Sequence, residues 1–192
     1  MIHQPSITKP ALYHFTSTAR LPWILSSSEL QPGANAVGKF PNPEFIWATT
    51  DYRGSRTAAI GPGYRDGTWL LVRLTLSADD FEPWARIPSL YPTWTPEAVE
   101  RLERSGRKMG DDPAQWWCRA GSLPLSRIVA IETKAYRASN WAALCSREII
   151  GSPDGALGIV IGGTMFFSTQ FKESDGRTGY LVGSYPASGA ER

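Results

Sequence analysis

Histidine and cysteine are scarce in this chain, which has two of each among its 192 residues. Two cysteines, Cys118 and Cys145, are too few for a disulfide framework or a four-thiolate zinc site, so we expect a reduced, cytoplasmic setting and no bound metal. The chain also lacks the G-x-S-x-G elbow of serine hydrolases, the Walker loop and the G-x-G-x-x-G dinucleotide fingerprint. The chemistry of those enzyme classes is therefore not expected.

Long apolar runs are absent as well. No stretch approaches about 20 continuous apolar residues, the length of a membrane span, and residues 1–6 lack the basic flank and apolar run of a signal peptide. We therefore expect no membrane partner. Charge is nearly balanced, with 20 Lys and Arg against 18 Asp and Glu for a net charge of +2. That balance permits contact with nucleic acid without requiring it.

The composition, 42% hydrophobic and 20% charged, is that of a globular chain with a core of its own. Alternating and β-branched runs predict strands, and capped apolar periodicity predicts helices. The strands fall at residues 12–16, 45–49, 69–76, 115–118 and 128–131, and the helices at about 19–28, 53–60 and 95–108. This order predicts an α+β fold with clustered strands rather than regular βαβ alternation.

The chain has three regions that differ in amino-acid composition. Residues 1–10 are polar and are expected to form an N-terminal arm, residues 11–145 hold the predicted elements, and residues 146–192 are a Gly/Ser-rich extension. Asp175-Gly176 is a hairpin turn signal within the extension. The extension either adds a hairpin to the sheet or is a loosely attached tail.

His14 is the most informative residue. In the strand at 12–16, the period of two places His14 and Thr16 on one face, just before a helix whose first amides favour anionic groups. Such a face can bind a polar ligand. The alternative is a core histidine whose ring is satisfied by a backbone carbonyl.

A second polar cluster follows the strand at 45–49. Thr49 and Thr50 lie at its end, and Arg53 and Arg56 come soon after. Threonine hydroxyls and arginine forks suit a phosphate or a ribose, although a solvated loop has the same composition. Cys118 could act as a nucleophile with His14 as its base, but its position in an apolar strand favours a small core residue.

Three segments together resemble a known superfamily. Residues 12–16 (LYHFT), residues 29–33 (ELQPG) after a helix, and the aromatic strand at 45–49 (FIWAT) resemble the opening of ADP-ribosyltransferase-like folds. The resemblance is strongest to the DarT-type enzymes that modify DNA bases, and more distant to RNA 2′-phosphotransferases and poly-ADP-ribose polymerases. It covers about residues 11–135. It implies a split, mostly antiparallel sheet with short flanking helices.

The resemblance also implies roles for individual residues. His14 would hydrogen-bond the nicotinamide-side ribose of NAD, with Thr16 and Thr49 beside the dinucleotide. Trp47 or Tyr52 would stack on the nicotinamide. An arginine that assists the reaction follows the aromatic strand in DarT-type enzymes, and Arg53 or Arg56 would fill that part.

A third motif carries one departure from the pattern. DarT-like sequences show an Ala-Glu-aromatic pattern and then Val-Pro-Leu, which residues 114–118 (AQWWC) and 123–125 (LPL) match. Gln115 stands in place of the catalytic glutamate. An amide can hydrogen-bond a ribose hydroxyl but cannot take up a proton. Glu132, in the strand that follows, is a substitute out of register.

Three functions follow as expectations. The first, implied by the resemblance, is an NAD-dependent ADP-ribosyltransferase, a glycosyltransferase that uses NAD as substrate and needs no metal. Its acceptor would be single-stranded DNA, RNA or a protein, and its setting a toxin–antitoxin pair. The second is a nucleotide-binding or partner-binding module of the same fold that has lost turnover. The third is a partner surface formed by the aromatic side chains Phe81, Trp84, Tyr91 and Trp94, which otherwise form a lid on the sheet.

Overall fold

The protein is described by a computed structural model over residues 9–33, 38–54, 62–174 and 176–187. The strands in this part are β1 (Ala11–Ser17), β2 (Glu29–Leu30), β3 (Phe45–Thr49), β4 (Leu71–Ser77), β5 (Glu82–Pro83), β6 (Trp116–Ala120), β7 (Leu123–Pro124), β8 (Ile128–Lys134), β9 (Ala142–Ala143), β10 (Ile150–Gly151), β11 (Leu157–Ile161), β12 (Thr164–Lys172) and β13 (Thr178–Pro186). The helices are α1 (Leu21–Ser27), α2 (Pro62–Asp66), α3 (Ile87–Leu90) and α4 (Pro96–Met109).

The predicted α+β class is confirmed, and every strand pairing in the described residues is antiparallel. No helix in the described ranges has the length and apolar character needed to cross a bilayer.

The main sheet has seven strands in the spatial order β5-β6-β3-β1-β4-β8-β9. Strand β1 pairs with β4 over all seven of its residues, and β3 pairs with β6 over all five of its residues. Between β1 and β3, however, one residue pair joins the strands, Tyr13 opposite Thr49. We call this thinly paired junction the seam. It divides the sheet into one half containing β1 and another containing β3.

The largest core cluster lies on one face of this sheet. It contains the side chains Leu12, Ile46, Ala48, Val72, Leu74 and Leu76, all at most 5% exposed. Val72, Leu74 and Leu76 share a face, as the period-two pattern of β4 predicted. Helix α1 packs Leu21 into the same cluster.

The start of α1 differs from expectation. Ser17 and Thr18 precede the helix and are typical capping residues, yet the residue at the N-cap is Arg20 and no side chain caps the helix. Thr18 is instead fully buried, and its hydroxyl accepts a hydrogen bond from the Leu70 amide at 3.0 Å. The hydroxyl therefore satisfies the backbone just before β4 rather than the helix.

Helix α4 begins and ends as its sequence indicates. The Thr95 hydroxyl accepts a hydrogen bond from the Ala98 amide at 3.4 Å, and Gly110 ends the helix with φ 88°. A positive φ costs glycine little, so glycine is the residue that suits this position. The exposed Arg107 pairs with the half-buried Glu103 at 2.8 Å in an i, i+4 arrangement.

The other face of the β3 half carries an aromatic layer. Trp47, Trp84, Trp94 and Trp116 contact one another with ring centroids 5.3–6.4 Å apart, and we call these four residues the tryptophan cluster. The Trp84 indole N–H donates to Glu103 of α4 at 2.9 Å. Trp84 and Trp94 are at most 2% exposed, and Phe81 lies in the main core. The partner-surface interpretation is therefore wrong for Phe81, Trp84 and Trp94, which form internal packing.

The C-terminal residues form a sheet of their own, in the order β10-β11-β12-β13. Ile159 and Phe166 belong to the same core cluster as the main sheet. Ser168 is fully buried; its hydroxyl donates to the Ala19 carbonyl at 2.5 Å and accepts from the Trp23 indole at 2.9 Å. The expected hairpin is β12–β13, whose connection includes Asp175, outside the described residues. This second sheet is packed against α1 and does not extend the main sheet.

Candidate functional site

A cavity of about 270 Å³ opens at the seam, between the sheet and α4. Its volume lies just below the usual range for small-molecule sites, about 300–1,000 Å³. Most of its wall is aromatic or apolar, with three polar side chains. The lining residues are Tyr13, His14, Phe15, Trp47, Ala48, Thr49, Leu102, Ser105, Gly106, Met109 and Trp116. We call it the first cavity.

His14 bridges the two halves of the sheet at this cavity. Its Nδ1 lies 2.7 Å from the Trp47 carbonyl oxygen. A carbonyl can only accept, so Nδ1 carries the proton and the neutral ring keeps a lone pair on Nε2. In the described part of the chain, Nε2 has no hydrogen-bond partner, and no fully buried side-chain nitrogen or oxygen lacks one. Nε2 is therefore not fully buried, and its lone pair is an acceptor available to a ligand hydroxyl.

The charge state of His14 agrees with this tautomer. Burial lowers the pKa of the His14 imidazole below its ordinary value of 6.5, the hydrogen bond to Trp47 acts in the opposite direction, and the nearby Arg20 cation lowers it further. The net direction is downward, so the ring is neutral at pH 7.

A second cavity adjoins the first. The second cavity, about 110 Å³ in volume, is lined by Thr49, Asp51, Gly54, Gly110, Asp111, Asp112, Gln115 and Trp116. It shares Thr49 and Trp116 with the first. Gln115 ends a 3-10 turn (Pro113–Gln115), and its carbonyl accepts from the Thr50 amide at 3.1 Å. The register of β3 against β6, with Thr49 opposite Trp116, places the glutamine beside the end of the aromatic strand.

The turn after β3 forms part of the second cavity. The Asp51 amide donates to the Thr49 hydroxyl at 3.1 Å, and the Asp51 carboxylate accepts from the Arg53 amide at 2.9 Å. The Arg53 guanidinium lies 5.5 Å from the centre of the Tyr52 ring. Tyr52 is 54% exposed and lines neither cavity, nor does Arg53. Arg56 lies outside the described residues.

The structure thus brings together some of the sequence-predicted residues and not others. His14, Trp47 and Thr49 line the first cavity, and Gln115 lines the second. Thr16 is 3% exposed and lines neither cavity. Of the two stacking candidates, Trp47 is the one at the cavity.

Two further residues considered from the sequence, Glu132 and Cys118, do not line either cavity. The Glu132 carboxylate accepts hydrogen bonds from Arg73 Nε and Nη2 at 2.9 and 2.6 Å. This ion pair engages the carboxylate outside both cavities. Cys118 is 1% exposed, and burial raises the pKa of its thiol well above the ordinary value. A nucleophilic role for Cys118 is therefore wrong, because the thiolate is not accessible at neutral pH.

Sequence reasoning missed the part that α4 plays. Gly106 lies against the Trp116 indole so closely that a Cβ would overlap the ring. Glycine inside a helix costs about 1 kcal/mol relative to alanine. Gly106, in the last turn of an otherwise regular helix, was therefore the available signal that something packs against it.

No group of three or more His, Cys, Asp or Glu residues able to hold a metal ion occurs in the ranges that the structure covers. Comparison with protein-family models, with curated proteins and with solved structures found no match to this chain.

Proposed function

We propose that the two cavities are the NAD site of an ADP-ribosyltransferase. The observation that carries this proposal is the convergence of His14, Trp47, Thr49 and Gln115 on two adjoining cavities at the seam. The resemblance implies an ADP-ribosyltransferase-like split sheet, and the single residue pair between β1 and β3 supports it. Each half of the sheet supplies part of the site.

The first cavity takes the nicotinamide ribose. The lone pair on His14 Nε2 accepts a hydrogen bond from a ribose hydroxyl. Trp47 and Trp116 provide aromatic walls for the nicotinamide ring, and such faces favour a flat ring that carries positive charge. The small volume fits this half of the dinucleotide and leaves the phosphates at the mouth. We assign the phosphates rather than the ribose to Arg53, because it lies on the exposed Tyr52 ring and lines neither cavity.

The second cavity holds the edge of the ribose that Gln115 contacts and also takes the acceptor. In the transfer, the bond between the ribose anomeric carbon and the nicotinamide nitrogen breaks, and its electron pair leaves with neutral nicotinamide. The acceptor nucleophile bonds to the same carbon and gives up its proton. Gln115 can hold a ribose hydroxyl, but the groups in this cavity that can accept a proton are the carboxylates of Asp51, Asp111 and Asp112.

A second candidate function is a nucleotide-binding module without turnover. Gln115 favours it, because the amide stands where the superfamily pattern has a carboxylate. In this case NAD binds in the same two cavities and is not cleaved. The two functions therefore differ in nicotinamide release and not in affinity.

Nicotinamide release, followed by chromatography, separates the two. The wild type, Gln115→Ala and Gln115→Glu are each incubated with NAD and, in turn, with single-stranded DNA, RNA and a protein mixture. Release by the wild type that falls at least tenfold in Gln115→Ala supports the transferase. Release only by Gln115→Glu supports the module. Absence of both NAD binding and release in all three proteins overturns the proposal.

A further inference from the structure

The ends of the two large sheets differ sharply in length. The main sheet ends in β5 and β9, and the second sheet begins with β10, each of only two residues. The remaining end is β13, with nine residues. Among the described residues it is the one long unpaired edge of these sheets. Such an edge presents a row of backbone N–H and C=O groups that can pair with another strand.

Strand β13 also lacks the features that keep an edge unpaired. Soluble proteins protect edges with lysine, inward-pointing charges, bulges or proline. Residues 178–186 (TGYLVGSYP) contain no charged side chain, and their one proline is the last residue. The pairing with β12 runs without interruption from Thr178 to Pro186, so no bulge bends the strand away.

The outer face of this edge alternates large and small residues. Leu181 is 68% exposed and Tyr185 is 51% exposed. Gly179 and Gly183 lie on the same face, since all four positions are an even number of residues apart along the strand. Phe171 and Phe167 of β12 cover these glycines so closely that a Cβ at either would overlap a ring. Glycine is therefore needed where it stands.

We propose that β13 pairs antiparallel with β13 of a second copy of this chain, making one continuous eight-stranded sheet across a two-fold axis. In the register that places Val182 opposite its own copy, Leu181 faces Gly183 of the second copy and Tyr185 faces its Gly179. Each large exposed side chain then faces a position that has no side chain of its own and packs on the phenylalanine ring, Phe167 or Phe171, that covers it. The strand is thus complementary to itself, as a two-fold interface requires.

A second copy accounts for the edge better than an unrelated strand. Residues 178–186 carry no charge to complement a charged partner and none to repel an identical one. The cations that contact the strand, Lys172 at Thr178 and Arg20 at the Tyr180 ring, belong to neighbouring elements. Two-fold pairing also closes the assembly, since the joined sheet ends in β10 on both sides, and β10 has two residues. No further copy is then recruited through a long edge.

Light scattering after size-exclusion chromatography tests this proposal. The wild type is expected at twice the chain mass of 21.1 kDa. Lysines at two exposed positions, Leu181→Lys with Tyr185→Lys, place four like charges at the interface and are expected to give a monomer. Val129→Lys replaces an apolar side chain that is 71% exposed on β8, and this control is expected to stay dimeric.

The outcomes that contradict the proposal are equally clear. A monomeric wild type at about 100 µM, or a dimer that the double lysine variant leaves intact, overturns it. Hydrogen exchange on the wild type needs no variant: the β13 amides are expected to exchange faster as the protein is diluted. Exchange of these amides that is independent of concentration means that the edge is covered otherwise or left open.

Discussion

The imidazole of His14 donates from Nδ1 to the Trp47 carbonyl oxygen at 2.7 Å, across the junction where the two halves of the sheet share one residue pair. This hydrogen bond does two things at once. It ties β1 to β3 where the backbone ladder is nearly absent, and it fixes the tautomer that leaves Nε2 as an acceptor in the first cavity. His14 is therefore placed to act both as a structural histidine and as a ligand-binding histidine.

The free energy of unfolding is expected to decrease as the pH is lowered below 6.5, because of His14. Its pKa is below 6.5 in the folded state, so above pH 6.5 both folded and unfolded chains hold a neutral ring and the group contributes nothing. Below pH 6.5 the unfolded chain binds the proton more readily, so the free energy of unfolding decreases until the folded pKa is passed. Urea unfolding at pH 7.5, 6.5 and 5.5 measures this decrease.

The control for this prediction is His14→Gln, which keeps a donor for the Trp47 carbonyl but does not titrate. The other histidine, His3, is present in both proteins and cancels in the comparison. The wild type is expected to lose more stability than the variant between pH 6.5 and pH 5.5. Equal losses in the two proteins would show that His14 is not buried in its neutral form.

Substitution of Gly106 is expected to disturb the site through Trp116. In an open helix position, Gly→Ala stabilises by roughly 0.5–1 kcal/mol. At Gly106 the added methyl group overlaps the indole, so Gly106→Ala is expected to destabilise by about 1–3 kcal/mol and to weaken NAD binding at least fivefold. Lys108→Ala, on the exposed face of α4, is the matched helix control and is expected to change stability by less than about 0.5 kcal/mol. A stabilised Gly106→Ala contradicts the packing described here.

The ion pair of Arg73 and Glu132 is expected to matter far more than a surface pair. Their side chains are 10% and 24% exposed, and the Arg73 guanidinium lies 4.4 Å from the centre of the Trp141 ring. Glu132→Ala leaves a buried cation without its partner, which costs about 3 kcal/mol. Glu100→Ala removes the exposed partner of Arg104 and is expected to cost less than about 1 kcal/mol.

Chemical denaturation with urea compares these two variants under one set of conditions. Similar losses for Glu132→Ala and Glu100→Ala contradict the prediction. Arg73 Nη1 also donates to the Tyr52 carbonyl at 2.5 Å. Because Arg73 contacts both Glu132 and the Tyr52 backbone, Glu132→Ala is also expected to displace the turn at residues 51–53.

The sequence predicted the central strands well because their signals are local. Alternation over β1 and the apolar face of β4 are read directly from neighbouring residues. Thr95 and Gly110 mark the ends of α4 for the same reason. The Ser17 and Thr18 cap was wrong because Thr18 is bound by Leu70, which is 52 residues away. Long-range partners of this kind leave no local trace.

The second sheet was the hardest element to predict. Glycine and serine after residue 146 have the composition of a linker, yet Gly179 and Gly183 are covered by the rings of Phe171 and Phe167, and Ser168 is a buried hydrogen-bonding residue. Glycine and serine in this segment are therefore closely packed residues of a sheet and not linker residues. The candidate site shows a similar limit: the register of β3 against β6, which brings Gln115 beside Thr49, is set by the whole sheet.

Isothermal titration calorimetry with NAD tests the central claim most directly. The wild type is expected to bind one NAD per chain, and His14→Ala to bind at least tenfold more weakly, because the ribose loses its acceptor. Cys145→Ala, at an exposed position away from both cavities, is expected to bind as the wild type does. No heat with the wild type, or equal affinity for the wild type and His14→Ala, would contradict the assignment of these cavities to NAD.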